Sequence, residues 1–156
     1  MPSRRDQIKL TGEEQRELIE SERIVTVSSN GPRGWPHVMP VWYVPREGEV
    51  WVYTYAKSQR VRNLERDPRA TLLIETGHEY QELHGLMIEA EAQIQRDFDT
   101  VFELAKELNV RYTEGVEAVT AEGTAVLEKQ ASKRVAIRFH PRRIASWDHR
   151  KLGGTY

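Results

Sequence analysis

Short segments rich in β-branched and aromatic residues recur along the chain at the spacing of β-hairpins, and this recurrence restricts the fold more than any other feature. The segments are residues 24–28, 38–44, 50–55, 70–75, 86–95, 134–140 and 144–147. Turn residues separate the first three of them. Several short strands with intervening turns are typical of sandwiches and barrels. The pattern therefore predicts six or seven strands in a small β-barrel with added helices.

Proline and side-chain alternation refine the assignment of individual strands. Pro40 lies within residues 38–44, and because proline cannot donate a hydrogen bond, it predicts an edge strand or a bulge there. Residues 134–140 alternate apolar and basic side chains, which indicates a half-buried strand. Residues 144–147 are interpreted as a separate, further strand.

Helical signals lie before and between these strands. Thr11 and Glu14 form a capping box that opens a first helix. Ser58 is a favourable N-cap for a short second helix. Apolar residues at spacings of three and four predict a third helix over residues 97–108. Residues 109–132 are interpreted as a loop followed by a further helix.

The composition excludes several classes of protein. The chain has 156 residues and no cysteine, which favours a single domain over residues 1–156 without disulfides or thiolate metal sites. Its net charge of −1 argues against a nucleic-acid partner. The longest apolar run, residues 38–44, is too short to span a membrane. The histidines lack a zinc-binding spacing. We therefore expect a cytoplasmic protein with no bound metal.

Cations cluster where the second helix begins. Lys57, Arg60 and Arg62 lie near its positive end, whereas acidic residues occupy its last turn. The helix dipole disfavours each such charge by a few tenths of a kcal/mol, up to about 1 kcal/mol. A phosphate bound at the free N–H groups would explain the arrangement, with Arg60 expected to be exposed. A solvated basic turn is the alternative interpretation.

Aromatic residues are concentrated just upstream of this helix. Of the 13 aromatic residues, six fall between positions 35 and 55. They are Trp35, Trp42, Tyr43, Trp51, Tyr53 and Tyr55. Aromatic strands beside a phosphate site suit a flat heterocycle with a phosphorylated tail. An ordinary barrel core together with a dimer interface would explain the same concentration.

Charge is distributed unevenly along the second half of the chain. Residues 75–128 contain 13 acidic and 3 basic residues, whereas residues 133–151 contain seven basic residues and one acidic residue. We expect the basic segment and residues 57–69 to line one electropositive pocket. The tail at residues 149–156 is polar, and Gly153 and Gly154 are expected to leave its end mobile, so that the tail contributes little to stability.

The strand, loop and helix around Ser58 resemble the flavin-phosphate motif of the pyridoxamine 5′-phosphate oxidase-like split β-barrels. In that family a Tyr/Phe-Thr pair ends a strand, as Tyr53 and Thr54 do here, and a Ser-Arg-Lys triplet then grips the phosphate. Ser58 matches the serine, Gln59 replaces the arginine, and Arg60 replaces the lysine. The resemblance implies a homodimeric split β-barrel, mainly β (α+β), of six to seven strands with peripheral helices.

The same resemblance implies which residues contact a cofactor. Residues 37–42 resemble the strand whose backbone lies against the flavin ring. The implied ring contacts are Val38, Pro40, Val41 and Trp42. The implied phosphate contacts are Lys57, Ser58, Gln59, Arg60 and Asn63, with Thr54 at the end of the preceding strand. Trp147 and Lys151, near the C-terminus, are further candidates.

The pattern Lys57-x-x-Arg60-x-Arg62-Asn63-Leu64 looks like the branch of the superfamily that uses the deazaflavin coenzyme F420. The phosphodiester and oligoglutamate tail of F420 would engage more cations than FMN does. The resemblance implies an oxidoreductase that transfers a hydride to a small, electron-poor organic acceptor, with the cofactor at a homodimer interface. No catalytic residue is assigned, because the cofactor carries the chemistry. An FMN-dependent oxidoreductase of the same fold and a non-catalytic cofactor-binding protein are the alternatives.

Overall fold

The computed structural model describes residues 1–113 and 120–154, which form one seven-stranded sheet with helices around it. The strands are β1 (Ile24–Asn30), β2 (Pro36–Trp42), β3 (Val44–Arg46), β4 (Glu49–Tyr55), β5 (Arg69–Thr76), β6 (His84–Gln95) and β7 (Arg134–Asp148). The helices are α1 (Arg4–Gln7), α2 (Gly12–Ser21), α3 (Gln59–Arg66), α4 (Phe98–Tyr112) and α5 (Ala121–Ala131), with 3-10 turns at Tyr80–Glu82 and His149–Leu152.

The sheet has the order β2-β1-β5-β6-β7-β4-β3, and every pair of neighbours is antiparallel. Contacts between β2 and β4 show that the sheet curls so that its two ends approach each other. This is the architecture of a split barrel, and it confirms the mainly β prediction. β2 is an end strand, so the edge assignment that Pro40 suggested is also confirmed.

The helix starts follow the capping signals of the sequence. Thr11 accepts a hydrogen bond from the N–H of Glu14, and the Glu14 carboxylate accepts one from the N–H of Thr11. α4 begins after Asp97 and continues beyond the predicted end to Tyr112. The predicted loop within residues 109–132 lies partly outside the described residues, and the predicted further helix is α5. Within residues 1–113 and 120–154, no helix is both long and apolar enough to cross a membrane.

The predicted strand at residues 38–44 is divided into β2 and β3, and Tyr43 is the reason. The Tyr43 hydroxyl donates a 2.6 Å hydrogen bond to the Ile19 carbonyl, and its side chain is buried. Its backbone N–H and C=O both bind the Tyr112 hydroxyl, at 3.0 and 2.8 Å. The chain therefore turns at Tyr43, because its backbone groups bind a side chain of α4 instead of a neighbouring strand.

The last two predicted strands, at residues 134–140 and 144–147, are one continuous strand, β7. It pairs with β6 along its length, with a register shift between Glu89 and Ala90. Ala90 lies opposite Pro141 and Glu89 lies opposite Arg143, so Arg142 is an extra residue. This β-bulge lets the strand continue past Pro141, where the sequence indicated an interruption.

The core has two parts that lie on opposite sides of β4 and β7. The main part fills the curled sheet and includes Val25, Val52 and Ile137, which alternate with outward-facing neighbours. α2 adds the buried residues Leu18 and Ile19. The second part lies under α4 and α5 and consists of Val44, Val101, Leu104, Ala131 and Ala136. β4, which leads into α3, is therefore packed on both of its faces.

Residues 149–152 of the C-terminal tail are anchored by hydrogen bonds, which argues against the predicted small contribution of the tail to stability. The Arg150 guanidinium makes two hydrogen bonds of 2.9 Å to the Asp148 carboxylate, which lies buried. The Lys151 ammonium contacts the Glu14 carboxylate at 2.7 Å and the Lys9 carbonyl at 2.8 Å. Residues 155–156 lie outside the described part of the chain. The tail thus ties β7 to the start of α2.

Deleting residues 150–156 is expected to lower the free energy of unfolding by about 1 kcal/mol, because Asp148 loses its guanidinium partner but gains access to water. The melting temperature should fall by about 2–4 °C. Circular dichroism would measure the change, and deletion of residues 153–156 alone is the control. Equal melting temperatures for the two deletions would contradict the anchoring.

Candidate active site

The start of α3 is built as an anion-binding helix end. Ser58 has extended backbone geometry, and its hydroxyl accepts a 3.3 Å hydrogen bond from the N–H of Val61. Within the described residues, the N–H groups of Gln59 and Arg60 have no backbone acceptor. Lys57 is exposed beside them and makes no ion pair with any described residue. Two free N–H groups and one cation therefore lie together at this helix end.

Arg60 is buried, with 5% of its surface exposed, and this corrects the prediction that it is exposed. α3 packs on the sheet through the positions of Arg60, Val61, Asn63 and Leu64, which share one helix face. Among the residues that the structure describes, none accepts a hydrogen bond from Arg60 Nε. Burial lowers the pKa of the Arg60 guanidinium below its ordinary value, although arginine stays charged. A buried cation without a partner is unfavourable, so the position is suited to an anionic ligand.

A chain of hydrogen bonds joins α3 to the strands below it. Asn63 is fully buried, and its amide nitrogen donates a 3.1 Å hydrogen bond to the Ser29 hydroxyl. Its amide oxygen accepts a 2.8 Å hydrogen bond from the Gln59 side chain. Ser29 lies opposite His37 in the β1–β2 pairing. Asn63 and Gln59 thus brace the helix, and Gln59 has its amide nitrogen directed to Asn63.

The acidic residues at the end of α3 have cationic partners. Glu65 pairs with Arg96. The Asp67 carboxylate accepts hydrogen bonds from the Arg69 guanidinium at 3.0 and 2.8 Å and from the Asn30 amide at 2.9 Å. These bonds, those of Arg69 first, hold the pKa of the Asp67 carboxyl well below its usual range. The unfavourable dipole interaction is thus compensated at the negative end, whereas Lys57 and Arg60 at the positive end form no ion pair with any described residue.

The predicted ring strand, β2, presents its residues on two faces. Val38, Pro40 and Trp42 alternate along one face and are exposed. Val41 faces inward and packs against the main core, so it can contact a ligand mainly through its backbone. Thr54 is half-buried near the end of β4, four residues before Ser58. The structure therefore brings Thr54, α3 and the first half of β2 to one end of the barrel.

Trp42 is held by an aromatic partner. Its ring stacks on Tyr112 with centroids 4.3 Å apart and an interplanar angle of 11°. The Tyr112 hydroxyl accepts a hydrogen bond from the Tyr43 N–H, and its single proton is shared between the Tyr43 carbonyl at 2.8 Å and the Arg23 carbonyl at 2.6 Å. Trp42 remains 54% exposed. The far end of β2 thus carries a rigid aromatic surface that faces solvent.

Trp147 and Lys151 are at the opposite end of the sheet from α3. Trp147 pairs with Gly85, whereas Ser29 is aligned through Ala70 with Ala90, five residues further along β6. Five residues of strand span roughly 17 Å. The Lys151 ammonium forms an ion pair with the Glu14 carboxylate. Within one chain, these two candidates are therefore not brought together with the α3 group.

The basic C-terminal segment pairs with the acidic strand beside it. Arg142 lines one cavity with Arg69, but Glu89 and Glu91 line it too, so this cavity is not the electropositive pocket that was predicted. Arg142 contacts Glu91 at 2.8 Å, and Arg143 contacts Glu89 at 3.2 Å. Arg138 binds Glu49, which also accepts a hydrogen bond from His140 if the Nδ1 of that ring is protonated. The uneven charge of the sequence thus reflects the adjacency of β6 and β7 in the sheet.

Ser29 is a site residue that the sequence analysis missed. Its hydroxyl occupies the third inward position of β1, after Val25 and Val27. A hydroxyl at a position that alternation assigns to the core was a usable signal, because a buried polar group needs a partner. That partner is Asn63, which fixes the position of α3.

The comparisons with known proteins agree with this architecture. The conserved hypothetical protein Rv2991 from Mycobacterium tuberculosis is 35% identical, with a TM-score of 0.88 over 99% of this chain and 95% of its own. An F420 reductase is 18% identical, with a TM-score of 0.64 over 83% of this chain and 94% of its own. The heme storage protein HutZ from Vibrio cholerae is 14% identical, with a TM-score of 0.65 over 88% and 96%. The last two share the fold alone. No curated protein matches the sequence.

The family match covers most of the chain. Residues 11–148 match the family described as pyridoxamine 5′-phosphate oxidase. The matched region begins at the N-cap of α2 and ends at the last residue of β7, so it includes the whole sheet and α3. The chain therefore belongs to the pyridoxamine 5′-phosphate oxidase family.

Proposed function

We propose that this protein is an F420-dependent oxidoreductase that reduces a small, electron-poor organic acceptor. The observation that carries the proposal is the buried Arg60, whose Nε lacks a partner among the described residues at the start of α3. Membership of an oxidoreductase family and the shared fold of an F420 reductase support it. The exposed cation of Lys57 and the motif around it favour a cofactor with more negative charge than FMN carries.

The residues at the start of α3 fit a phosphodiester. Arg60 would supply a buried guanidinium, and Lys57 would supply an ammonium from the solvent side. The free N–H groups of Gln59 and Arg60 would donate to the phosphate oxygens. Ser58 already accepts a hydrogen bond from Val61 and can still donate its hydroxyl proton. Asn63 would act by holding α3 on Ser29.

β2 would orient the ring of the cofactor. Val38 and Pro40 offer exposed side chains, and Val41 offers its backbone. When bound, F420 supplies the hydride that reduces the acceptor. Trp42, held flat by Tyr112, would border the acceptor at the far end of the strand. Thr54 would contact the phosphate from the end of β4. We assign no proton donor.

We further propose that two copies of the chain form a homodimer with the cofactor between them. Ile24, Val38 and Trp42 are each more than half exposed and lie on the outer face of β1 and β2. Exposed apolar surface of this kind marks an interface. A second copy would also be needed to bring Trp147 or Lys151 to the α3 group, which one chain keeps apart from them.

Light scattering at micromolar concentration is expected to give twice the 18.1 kDa of one chain. Trp42→Lys would place a charge on the proposed interface and should shift the mass toward that of one chain. Val126→Lys, on an exposed position of α5, is the control and should leave the mass unchanged. A monomer that still binds cofactor would contradict the shared site.

Fluorescence titration with F420 and FMN tests the choice of cofactor. We expect F420 to bind at least ten-fold more tightly, a difference of about 1.4 kcal/mol. Gln59 replaces a cation of the flavin-phosphate motif, and its side-chain amide donates a hydrogen bond to Asn63. The Lys57 ammonium therefore stays available to a more anionic ligand. Equal or reversed affinities would contradict the proposal. Binding of F420 without turnover of any electron-poor acceptor would instead identify a carrier protein.

A further inference from the structure

We propose that a cavity on the outer face of the sheet, where α2 leads into β1, binds an organic cation with an apolar or aromatic body. The inference rests on the proposed function in one respect, since we take this ligand to be the electron-poor acceptor. The cavity has a volume of about 450 Å³ and lies between the end of α2, the start of β1 and the second half of β5. It is separate from the group of residues at the start of α3.

The floor of the cavity is mainly apolar. Ile24 and Thr26 alternate along β1 with residues of the main core, so their side chains face outward. Leu73 lies opposite Thr26 in the β1–β5 pairing and lines the cavity with them. A surface of this kind accepts the body of a flat or aliphatic molecule, but it does not by itself distinguish charged from uncharged ligands.

Two carboxylates that line the cavity supply this distinction. Glu22 is the C-cap of α2, and Glu75 lies two residues after Leu73 on β5. Glu22 is half-buried and Glu75 is exposed. Within residues 1–113 and 120–154, neither carboxylate forms an ion pair. Two negative charges beside an apolar floor favour a positively charged ligand over an uncharged one of the same shape.

The arginines next to the cavity are engaged elsewhere. Arg23, which lines it, donates a 3.1 Å hydrogen bond to the Arg111 carbonyl, and its guanidinium carbon lies 5.5 Å from the centroid of the Tyr112 ring. The Arg111 guanidinium donates to the carbonyls of Glu20 and Glu22 at 2.8 and 2.7 Å. Both guanidinium groups thus join the end of α2 to the end of α4, and neither forms an ion pair with the two carboxylates.

An aromatic ring borders the same cavity. Trp42 lies opposite Ile24 in the β1–β2 pairing, so their side chains are neighbours on the outer face of the sheet. The Trp42 ring stacks on Tyr112 and remains 54% exposed, and an exposed indole attracts cations through its π system. A positive charge also withdraws electrons from an aromatic ring that carries it. The charge that the carboxylates select is therefore compatible with the electron-poor acceptor of the proposed function.

The test compares two nitroaromatic probes of the same shape. One is the para-nitrobenzyl trimethylammonium cation, and the other is its uncharged isostere, in which carbon replaces the quaternary nitrogen. Both quench tryptophan fluorescence, so titration gives their affinities for the wild type, Glu22→Gln, Glu75→Gln and the double variant. Glu128→Gln is the control, because Glu128 is exposed on α5, which packs on α4 and β7.

We expect the wild type to bind the cation at least about five-fold more tightly than the isostere. Each single substitution should reduce this preference about two- to five-fold, as for the loss of one exposed ion pair, and the double substitution should remove most of it. The affinity for the isostere should stay the same in every variant, and the control should keep the full preference. Ionic strength of about 1 M should also reduce the preference, because screening then acts within about 3 Å.

Three outcomes would overturn the inference: equal binding of both probes by the wild type, binding of neither probe, or a preference that survives in the double variant. Melting temperatures and light scattering confirm that the variants keep their fold and assembly state. Reduction of the same probes by reduced F420 is measured separately. A protein that shows the preference but reduces neither probe would contradict the proposed function and leave the cation site in place.

Discussion

Replacing Arg60 with methionine should weaken F420 binding by about 10- to 150-fold while leaving the cofactor-free protein at least as stable as the wild type. A charge-assisted hydrogen bond contributes about 1.5–3 kcal/mol to binding, which corresponds to that loss of affinity. Methionine matches much of the volume of the arginine side chain, so the packing of α3 on the sheet is retained. It also removes a buried cation that has no partner among the described residues.

The opposite signs of the two effects make this prediction specific. If Arg60 served only packing, its substitution would destabilise the protein. If it serves a ligand, its substitution weakens ligand binding and can stabilise the protein. Arg62→Met is the matched control, because Arg62 is a cation on the exposed side of the same helix. Its substitution should change F420 affinity less than three-fold. Titration and thermal melting of both variants would measure the difference, and a destabilised Arg60→Met with normal affinity would assign Arg60 to the core.

Replacing Gly85 with alanine should lower the melting temperature by about 2–12 °C. A Cβ atom at this position would lie 2.6 Å from Trp147 Cζ2 and 2.7 Å from the Ile74 carbonyl oxygen. The indole ring could move, but the carbonyl belongs to the paired strand β5 and cannot move without disturbing the sheet. Overpacking of this kind costs about 1–3 kcal/mol, and each kcal/mol corresponds to about 2–4 °C for a chain of this size.

Gly12→Ala provides the comparison for this measurement. Nothing lies within 4 Å of a Cβ atom at Gly12, which is the first residue of α2. Alanine there should leave the free energy of unfolding unchanged or raise it by about 0.4–1 kcal/mol. Calorimetry would compare the two variants, and tryptophan fluorescence would report displacement of Trp147. Similar melting temperatures for both would show that the sheet accommodates a methyl group at Gly85.

Local signals in the sequence predicted the elements whose cause is local. Thr11 and Ser58 cap their helices through their own side chains, so residue type and spacing were sufficient. The β-branched residues at 24–28 likewise predicted a strand, and that strand is β1. The division of β2 from β3 could not be found in this way. It depends on a hydrogen bond from Tyr43 to Tyr112, which is 69 residues away.

The candidate site likewise depends on contacts between distant parts of the chain that the sequence does not reveal. The sequence placed cations at the start of α3, and the structure places them there. It did not reveal that Arg60 is buried, because the burial follows from how α3 packs on β1 and β6. The predicted electropositive pocket was wrong for a related reason. The basic residues of β7 meet the acidic residues of β6 only because those strands are adjacent in the sheet.

The two prolines of β2 affect how this protein behaves when it is crowded. Pro36 and Pro40 pair with β1, and since neither can donate to that strand, their nitrogen positions suit the open edge of the sheet. A strand from another molecule that approached this edge would find two donors missing from its hydrogen-bond ladder. Edge-to-edge pairing of sheets from different molecules, which leads to fibrils, is therefore disfavoured. The chain can expose an apolar surface for association and still resist amyloid-like aggregation at high concentration.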